Sequence, residues 1–176
     1  PPASRAALDN AEVIFGGPRH LDRAVAGDRG QAWPVPFDIA PVLALRGRQV
    51  AVLASGDPFW FGAGSTLAAA LEPGEWRSYP APSTFALAAN ALGWRLEEVT
   101  CHGLHAAPVA RLRGVLAPRG RLICLVRDGT APAELAQWLC GQGAGAARLH
   151  VLERLGGPDQ RIREAQAENF DLRDIA

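Results

Sequence analysis

Apolar residues in this chain come in short runs cut by glycine and proline, with no long uninterrupted stripe. Val13-Ile14-Phe15 is closed by Gly16-Gly17-Pro18, and a second run spans residues 49–54. Both read as buried strands followed by turns, the second covered on both faces. Further short strands are expected at Trp76–Tyr79, Val99–Cys101, Arg121–Val126 and Ala147–Leu152. Helical spacing and capping residues fall in other segments. Ser4 caps a helix reaching about Ala11, and Asp38 caps one reaching Leu45. Gly64–Leu71 is rich in Ala and Leu, and Ser83 caps a helix over Thr84–Leu92. Pro108–Leu116 and Pro132–Leu139 complete the set, with Pro132 suited to a first turn. Residues 22–36 read as irregular, and Arg161–Glu168 fits either a helix or a polar hairpin connection.

Strands alternating with helices define an α/β chain. The pattern changes across Gly93–Thr100, which places a boundary near Glu97 and Glu98. Two α/β domains are therefore expected, 1–97 and 98–176, with no internal repeat. The most informative segment is Ser55-Gly56-Asp57-Pro58-Phe59-Trp60-Phe61-Gly62. There an apolar run ends in a tight turn and a glycine-flanked aromatic loop. Strand exits of this kind hold ligands in open α/β sheets.

Composition narrows the picture. Of 176 residues, 48% are hydrophobic, enough for a real core. The 18 basic residues are balanced by 18 acidic ones, and every basic residue is Arg. Zero net charge argues against a grip on long nucleic acid, while planar guanidinium groups suit a polycarboxylated small molecule. Cys101, Cys124 and Cys140 are too widely spaced for a CxxC pair or a zinc site, so no metal is expected. So sparse a set points to a reducing compartment, the cytoplasm. No apolar run has membrane-spanning length. The chain begins Pro1-Pro2 and contains no Met, and is expected to be part of a longer product.

Several motifs occur in a fixed order. Val13-Ile14-Phe15-Gly16-Gly17-Pro18-Arg19-His20-Leu21 comes first, then the Ser55-Gly56-Asp57-Pro58 turn with Phe61 and Gly62. Pro80-Ala81-Pro82-Ser83-Thr84-Phe85, Cys101-His102-Gly103-Leu104-His105 and Glu153-Arg154-Leu155-Gly156-Gly157-Pro158-Asp159-Gln160-Arg161-Ile162 follow. Together they resemble the tetrapyrrole methylases over nearly the whole chain. Within that family they resemble the branch formed by the amino-terminal methylase part of precorrin-6Y C5,15-methyltransferases. Three departures stand out. The family's opening strand with its Gly-x-Gly loop is not in this sequence, and neither is its final strand. Ala81 and Pro82 replace the usual glycine and aliphatic residue, and Pro82 removes one backbone N–H from the loop.

The resemblance implies a tetrapyrrole methylase fold of two α/β domains with a cofactor cleft between them. It implies S-adenosylmethionine as cofactor, S-adenosylhomocysteine as product, and a precorrin macrocycle methylated at carbon 5 in cobalamin biosynthesis. A homodimer and a separate carboxy-terminal methyltransferase and decarboxylase domain are implied as partners. Carried over by position, Ser55, Gly56, Asp57, Trp60, Ser83, Thr84, Val126 and Leu155 are the cofactor-contacting candidates. Asp57 can orient the cofactor or only shape an Asx-turn. Trp60 can instead serve the core or a dimer interface. Ser83 and Thr84 can equally be helix-capping residues, and Val126 and Leu155 can be strand-end core. His102 is the candidate base, since imidazole titrates near neutrality; its plainer role is substrate binding or loop packing. His105, Arg19, Arg111, Arg113 and Arg127 are candidates for the substrate's carboxylates, against the plainer reading of solvated surface residues. His20 and His150 stand apart from the motif histidines. Two rival readings remain: a non-catalytic docking and dimerisation module of a larger corrin-pathway enzyme, and a same-fold methyltransferase acting on RNA or protein.

Overall fold

A computed structural model describes residues 2–105 and 107–176. The chain divides into two compact units, one ending at Ser83 and the other spanning Thr84–Ala176. This division precedes the boundary expected at residues 97–98, because the helix over Thr84–Leu92 buries its apolar face against strands of the second unit.

The first unit is a three-stranded parallel sheet with helices on both faces. Its elements are α1 (Pro2–Asp9), β1 (Val13–Gly16), α2 (Pro18–Arg23), β2 (Gly30–Ala32), α3 (Ala40–Leu43), β3 (Val50–Val52) and α4 (Gly64–Ala70). The strand order is β2-β1-β3, with Ile14 opposite Gly30 on one side and Ala51 on the other. Alternation along the central strands sorts the core. Val13, Phe15, Val50 and Val52 pack with Val42 of α3 and Leu67 of α4. Ile14, Ala51 and Leu53 pack the other way, with Leu8 of α1 and Leu21 of α2. One Arg29 amino group donates to the carbonyls of Leu8, Asp9 and Ala11, at the end of α1 and just beyond it.

The region expected to be irregular, 22–36, therefore contains the last two residues of α2 and the whole of β2. Conversely, Trp76–Tyr79, expected as a strand, has no ladder partner among the described residues, and Trp76 instead packs its ring on Phe59. The Asp38 cap is present, its carboxylate accepting the Ala40 N–H at 2.9 Å.

The second unit contains α5 (Thr84–Leu92), β4 (Val99–Gly103), β5 (Arg121–Leu125), α6 (Ala131–Gly141), β6 (Arg148–Glu153) and β7 (Arg161–Gln166). Strands β4 and β5 pair in parallel, and β6 and β7 form an antiparallel hairpin across Gly156-Gly157-Pro158. Phe85, Ala88 and Ala89 of α5 pack on Ile123, with Leu125, Leu152 and Leu155 around them. A second cluster joins Ala136 and Leu139 of α6 to Ala167. The 161–168 segment is thus a strand of the hairpin ending in a short turn. Its polar register is held by Glu153, whose side chain is only 3% exposed. That carboxylate accepts from Arg161 at 2.7 and 2.9 Å, from Arg163 at 3.0 and 3.2 Å, and from the Ala176 N–H at 2.8 Å.

These donors, led by Arg161, hold the Glu153 carboxyl down from 4.5 to about 2. A depressed carboxyl stabilises the fold above its unfolded value and ceases to do so as pH falls through the folded one. Glu153→Gln is expected to cost about 2–3 kcal/mol at neutral pH, less than a fully buried pair because Arg161 stays partly solvated. Urea denaturation should show that loss at pH 7, with the difference from the parent chain shrinking between about pH 4.5 and pH 2.

Candidate active site

In the first unit the sheet order puts β1 beside β3 with β2 beyond it, so the carboxyl ends of β1 and β3 mark the point where the winding direction reverses. Open parallel sheets hold ligands at such points. The chain leaves β3 still bound to β1, the Leu53 N–H donating to the Phe15 carbonyl at 2.8 Å, and then turns at Ser55. Gly56 follows with φ +70°. A Cβ there would lie 2.7 Å from both the Pro82 carbonyl oxygen and the Ser83 Cα. The Ala81 N–H also donates to the Gly56 carbonyl at 3.2 Å. The Ser-Gly-Asp-Pro turn and the Pro80–Ser83 segment are thus pressed together backbone to backbone, which only glycine permits.

The rest of the loop is equally constrained. The Asp57 carboxylate accepts the Phe59 N–H at 2.9 Å, and the Asp57 carbonyl accepts the Trp60 N–H at 3.2 Å. Asp57 therefore forms the Asx-turn that was its plainer reading. Gly64 donates to the Pro58 carbonyl at 2.9 Å, and a Cβ on Gly62 or Gly64 would come within 2.5 or 2.6 Å of that same oxygen. Phe61 takes a left-handed φ of +57°, a conformation that costs a non-glycine residue free energy. As a result Phe59, Trp60 and Phe61 all leave a large part of their rings exposed, 42% in the case of Trp60.

One member of this site escaped the sequence reading. His20 Nε2 lies 2.8 Å from Ser55 Oγ, a hydrogen bond across 35 positions of sequence. Burial, and then the charges of Arg19 and Arg23, push the His20 imidazole below its ordinary value, so the ring is neutral at pH 7. Of the residues expected here, the first unit gathers Ser55, Gly56, Asp57, Trp60 and Ser83 into one loop cluster. Arg19 sits on α2 next to His20. The signal that could have pointed to His20 was the Gly16-Gly17-Pro18 turn directly before it, which ends β1 at the same edge as Ser55.

The second unit places its candidates separately. His102 lies on β4 opposite Cys124, and its Nε2 is buried without a hydrogen-bond partner among the described residues. A buried polar atom left without a partner is uncommon in a folded protein. Burial first, and then Cys101, raises the Cys124 thiol to about 11, so it is an unreactive neighbour. His105 and Arg111 are exposed, Arg111 on a short 3₁₀ turn over Val109–Gly114. Arg113 donates to Gln142 at 3.3 Å. Arg127 is engaged with Asp128 and Glu134, which compete with any carboxylate ligand. Thr84 opens α5, and Val126 follows the end of β5. Leu155 belongs to the apolar cluster around Phe85 and Ile123, its plainer reading. No group of three His, Cys, Asp or Glu side chains able to hold a metal occurs among the described residues.

A parallel sheet whose carboxyl edge carries a glycine-bound turn defines an open α/β unit. Residues 2–171 match the family described as Tetrapyrrole (Corrin/Porphyrin) Methylases, and the chain belongs to that family. It is 42% identical over 169 residues to a precorrin-6Y C(5,15)-methyltransferase [decarboxylating] from Sinorhizobium sp, covering 94% of this chain and 41% of that protein. The chain thus spans about two fifths of that relative's length. A cobalt-precorrin-7 C(5)-methyltransferase from Salmonella typhimurium is 28% identical over 166 residues, which cover 92% of this chain and 81% of that protein. The crystal structure of a precorrin-6Y methylase from Archaeoglobus fulgidus matches with a TM-score of 0.69 and 28% identity, over 99% of this chain and 86% of that one.

Replacing Gly56 by Ala is expected to destabilise the first unit by about 2 kcal/mol, since both the positive φ and the contact with Pro82 penalise a Cβ. Thermal unfolding measures the loss. A melting temperature equal to that of the parent chain would show that the two loops are not packed as described.

Proposed function

We propose that this chain is an S-adenosylmethionine-dependent C-methyltransferase unit acting on a precorrin macrocycle, at carbon 5, in cobalamin biosynthesis. The observation that carries the reading is the packing of the Ser55–Pro58 turn onto the Pro80–Ser83 segment at the carboxyl end of the parallel sheet. The relatives support it by name. The Sinorhizobium protein is a C(5,15)-methyltransferase longer than this chain, whereas the Salmonella protein is a C(5)-methyltransferase most of whose length this chain covers. That contrast favours carbon 5 as the target of the part represented here. Methylation at carbon 15 and decarboxylation are assigned to a further domain outside it. A homodimer belongs to the same reading.

The residues present suit such a cofactor. Half-exposed rings at Phe59, Trp60 and Phe61 offer flat apolar surface for a nucleoside, and the Ser55 hydroxyl offers a polar contact at the loop's start. Gly56 and Asp57 fix that loop, and Ser83 fixes its partner segment. Thr84, at the first turn of the nine-residue helix α5, suits the carboxylate of a methionyl group. Val126 and Leu155 are the apolar candidates on the second unit. When bound, S-adenosylmethionine supplies a methyl group on a positive sulfur, a reaction that depends on alignment and exclusion of water. His102, with its unpartnered Nε2, is the candidate to take the proton released at the methylated carbon. Arg19, Arg111 and His105 are candidates for the macrocycle's carboxylates, and Arg127 can join them only by leaving Asp128 and Glu134.

Calorimetric titration with S-adenosylhomocysteine is expected to give one saturable site, and labelled methyl from S-adenosylmethionine should appear on precorrin. His102→Gln should lower kcat by about a hundredfold or more with little change in cofactor affinity. A folded chain that binds no S-adenosylhomocysteine would favour the docking-module reading, and tight salt-sensitive RNA binding would favour a macromolecular substrate.

A further inference from the structure

We propose that His20 is a positioning residue of the loop site, holding the Ser55 hydroxyl so that the Ser55-Gly56-Asp57-Pro58 turn keeps its ligand-binding form. The inference rests on the reading of that turn as a cofactor-contacting loop. His20 reaches the turn because Gly16 lets it: a Cβ at Gly16 would lie 3.2 Å from both His20 Cβ and Leu53 Cβ. Helix α2 therefore starts close against the end of β1, and its side chain at position 20 arrives 2.8 Å from Ser55 Oγ.

From Ser55 the constraint passes along the chain. The next residue, Gly56, is the one pressed onto Pro82 and Ser83, so His20, the turn and the Pro80–Ser83 segment are linked in series. Ser55 is exposed, and an exposed hydroxyl finds water as readily as imidazole. The bond thus contributes little to stability. What it removes is the free rotation of the Ser55 side chain, and fixing a group before a ligand arrives favours affinity. Arg19 and Arg23 flank His20 on α2 and, with burial, disfavour imidazolium. Asp22 is the other ionisable group on that helix, while β1 and β2, on which it packs, carry none. In the neutral tautomer protonated at Nδ1, the Ser55 hydroxyl donates to Nε2, leaving its oxygen lone pairs for a donor on the ligand.

The test is a double-mutant cycle read by S-adenosylhomocysteine calorimetry on the parent protein, His20→Ala, Ser55→Ala, the double variant and His20→Gln. His20→Ala and Ser55→Ala are each expected to weaken binding about tenfold, with the double variant no weaker than either, and His20→Gln, which can still reach Ser55, should recover most of the loss. Melting temperatures should stay together. Unchanged affinity in His20→Ala, or a double-variant loss equal to the product of the single losses, would overturn the proposal. If the parent protein itself binds no S-adenosylhomocysteine, the cofactor reading fails instead. The positioning role is then decided by amide hydrogen exchange at Gly56 and Asp57: several-fold faster exchange in His20→Ala sustains it, and unchanged exchange sinks it.

Discussion

Gly56 leaves no room for a side chain, and the loops around it are arranged accordingly. Its positive φ turns the chain out of the sheet, and its bare Cα face receives the backbone of Pro82 and Ser83. Everything else in the first unit's site follows from that contact. The turn must be short, so Asp57 closes it with its own carboxylate. The chain must then wrap the Pro58 carbonyl, so Gly62 and Gly64 are small and Phe61 takes up the strain. The aromatic rings that result are held outward by backbone geometry, not by burial.

This constraint explains why the geometry of the Ser55–Gly62 turn was more legible in the sequence than parts of the fold. A glycine, an aspartate and a proline in one turn each carry a local geometric meaning, and Asp57 uses its side chain as that meaning dictates. The buried alternation of Val13, Ile14 and Phe15, and the apolar helix over Thr84–Leu92, were readable for the same local reason. Helix α2 and strand β2 were not. Gly30-Gln31-Ala32 has neither an apolar pattern nor β-branched residues, and becomes a strand only because β1 offers it a parallel ladder. Pro18–Arg23 has one apolar residue, Leu21, facing the core. The Trp76–Tyr79 segment shows the converse: Trp76, suited to a strand, makes a ring contact with Phe59 instead. His20 was missed because its partner lies in another part of the sequence, and no short-range spacing encodes that meeting.

The arginine-only cation set also acquires a structural meaning. Arg29 closes a helix end with three carbonyls, and Arg161 and Arg163 share one buried carboxylate while also donating to the carbonyls of Asp174 and Arg173. Arg161 and Arg163 each use the several donors that a guanidinium presents in a fixed plane, where an ammonium would offer a single point of charge. Zero net charge is therefore the sum of many local pairings, and it says little about any one surface.

The strand pairings differ in how far along the chain they reach. Glu153 meets Arg161 across a tight hairpin, whereas Val13 meets Val50 and Val99 meets Arg121 only after an intervening crossover. Loop closure must precede the parallel contacts, so the polar hairpin is the element able to form earliest and the loop site the one completed late. The 161–168 segment, which the sequence left open between a helix and a hairpin connection, is thereby the most local part of the folding process, and the most recognisable motif depends on contacts that cannot exist until β1 and β3 have found each other.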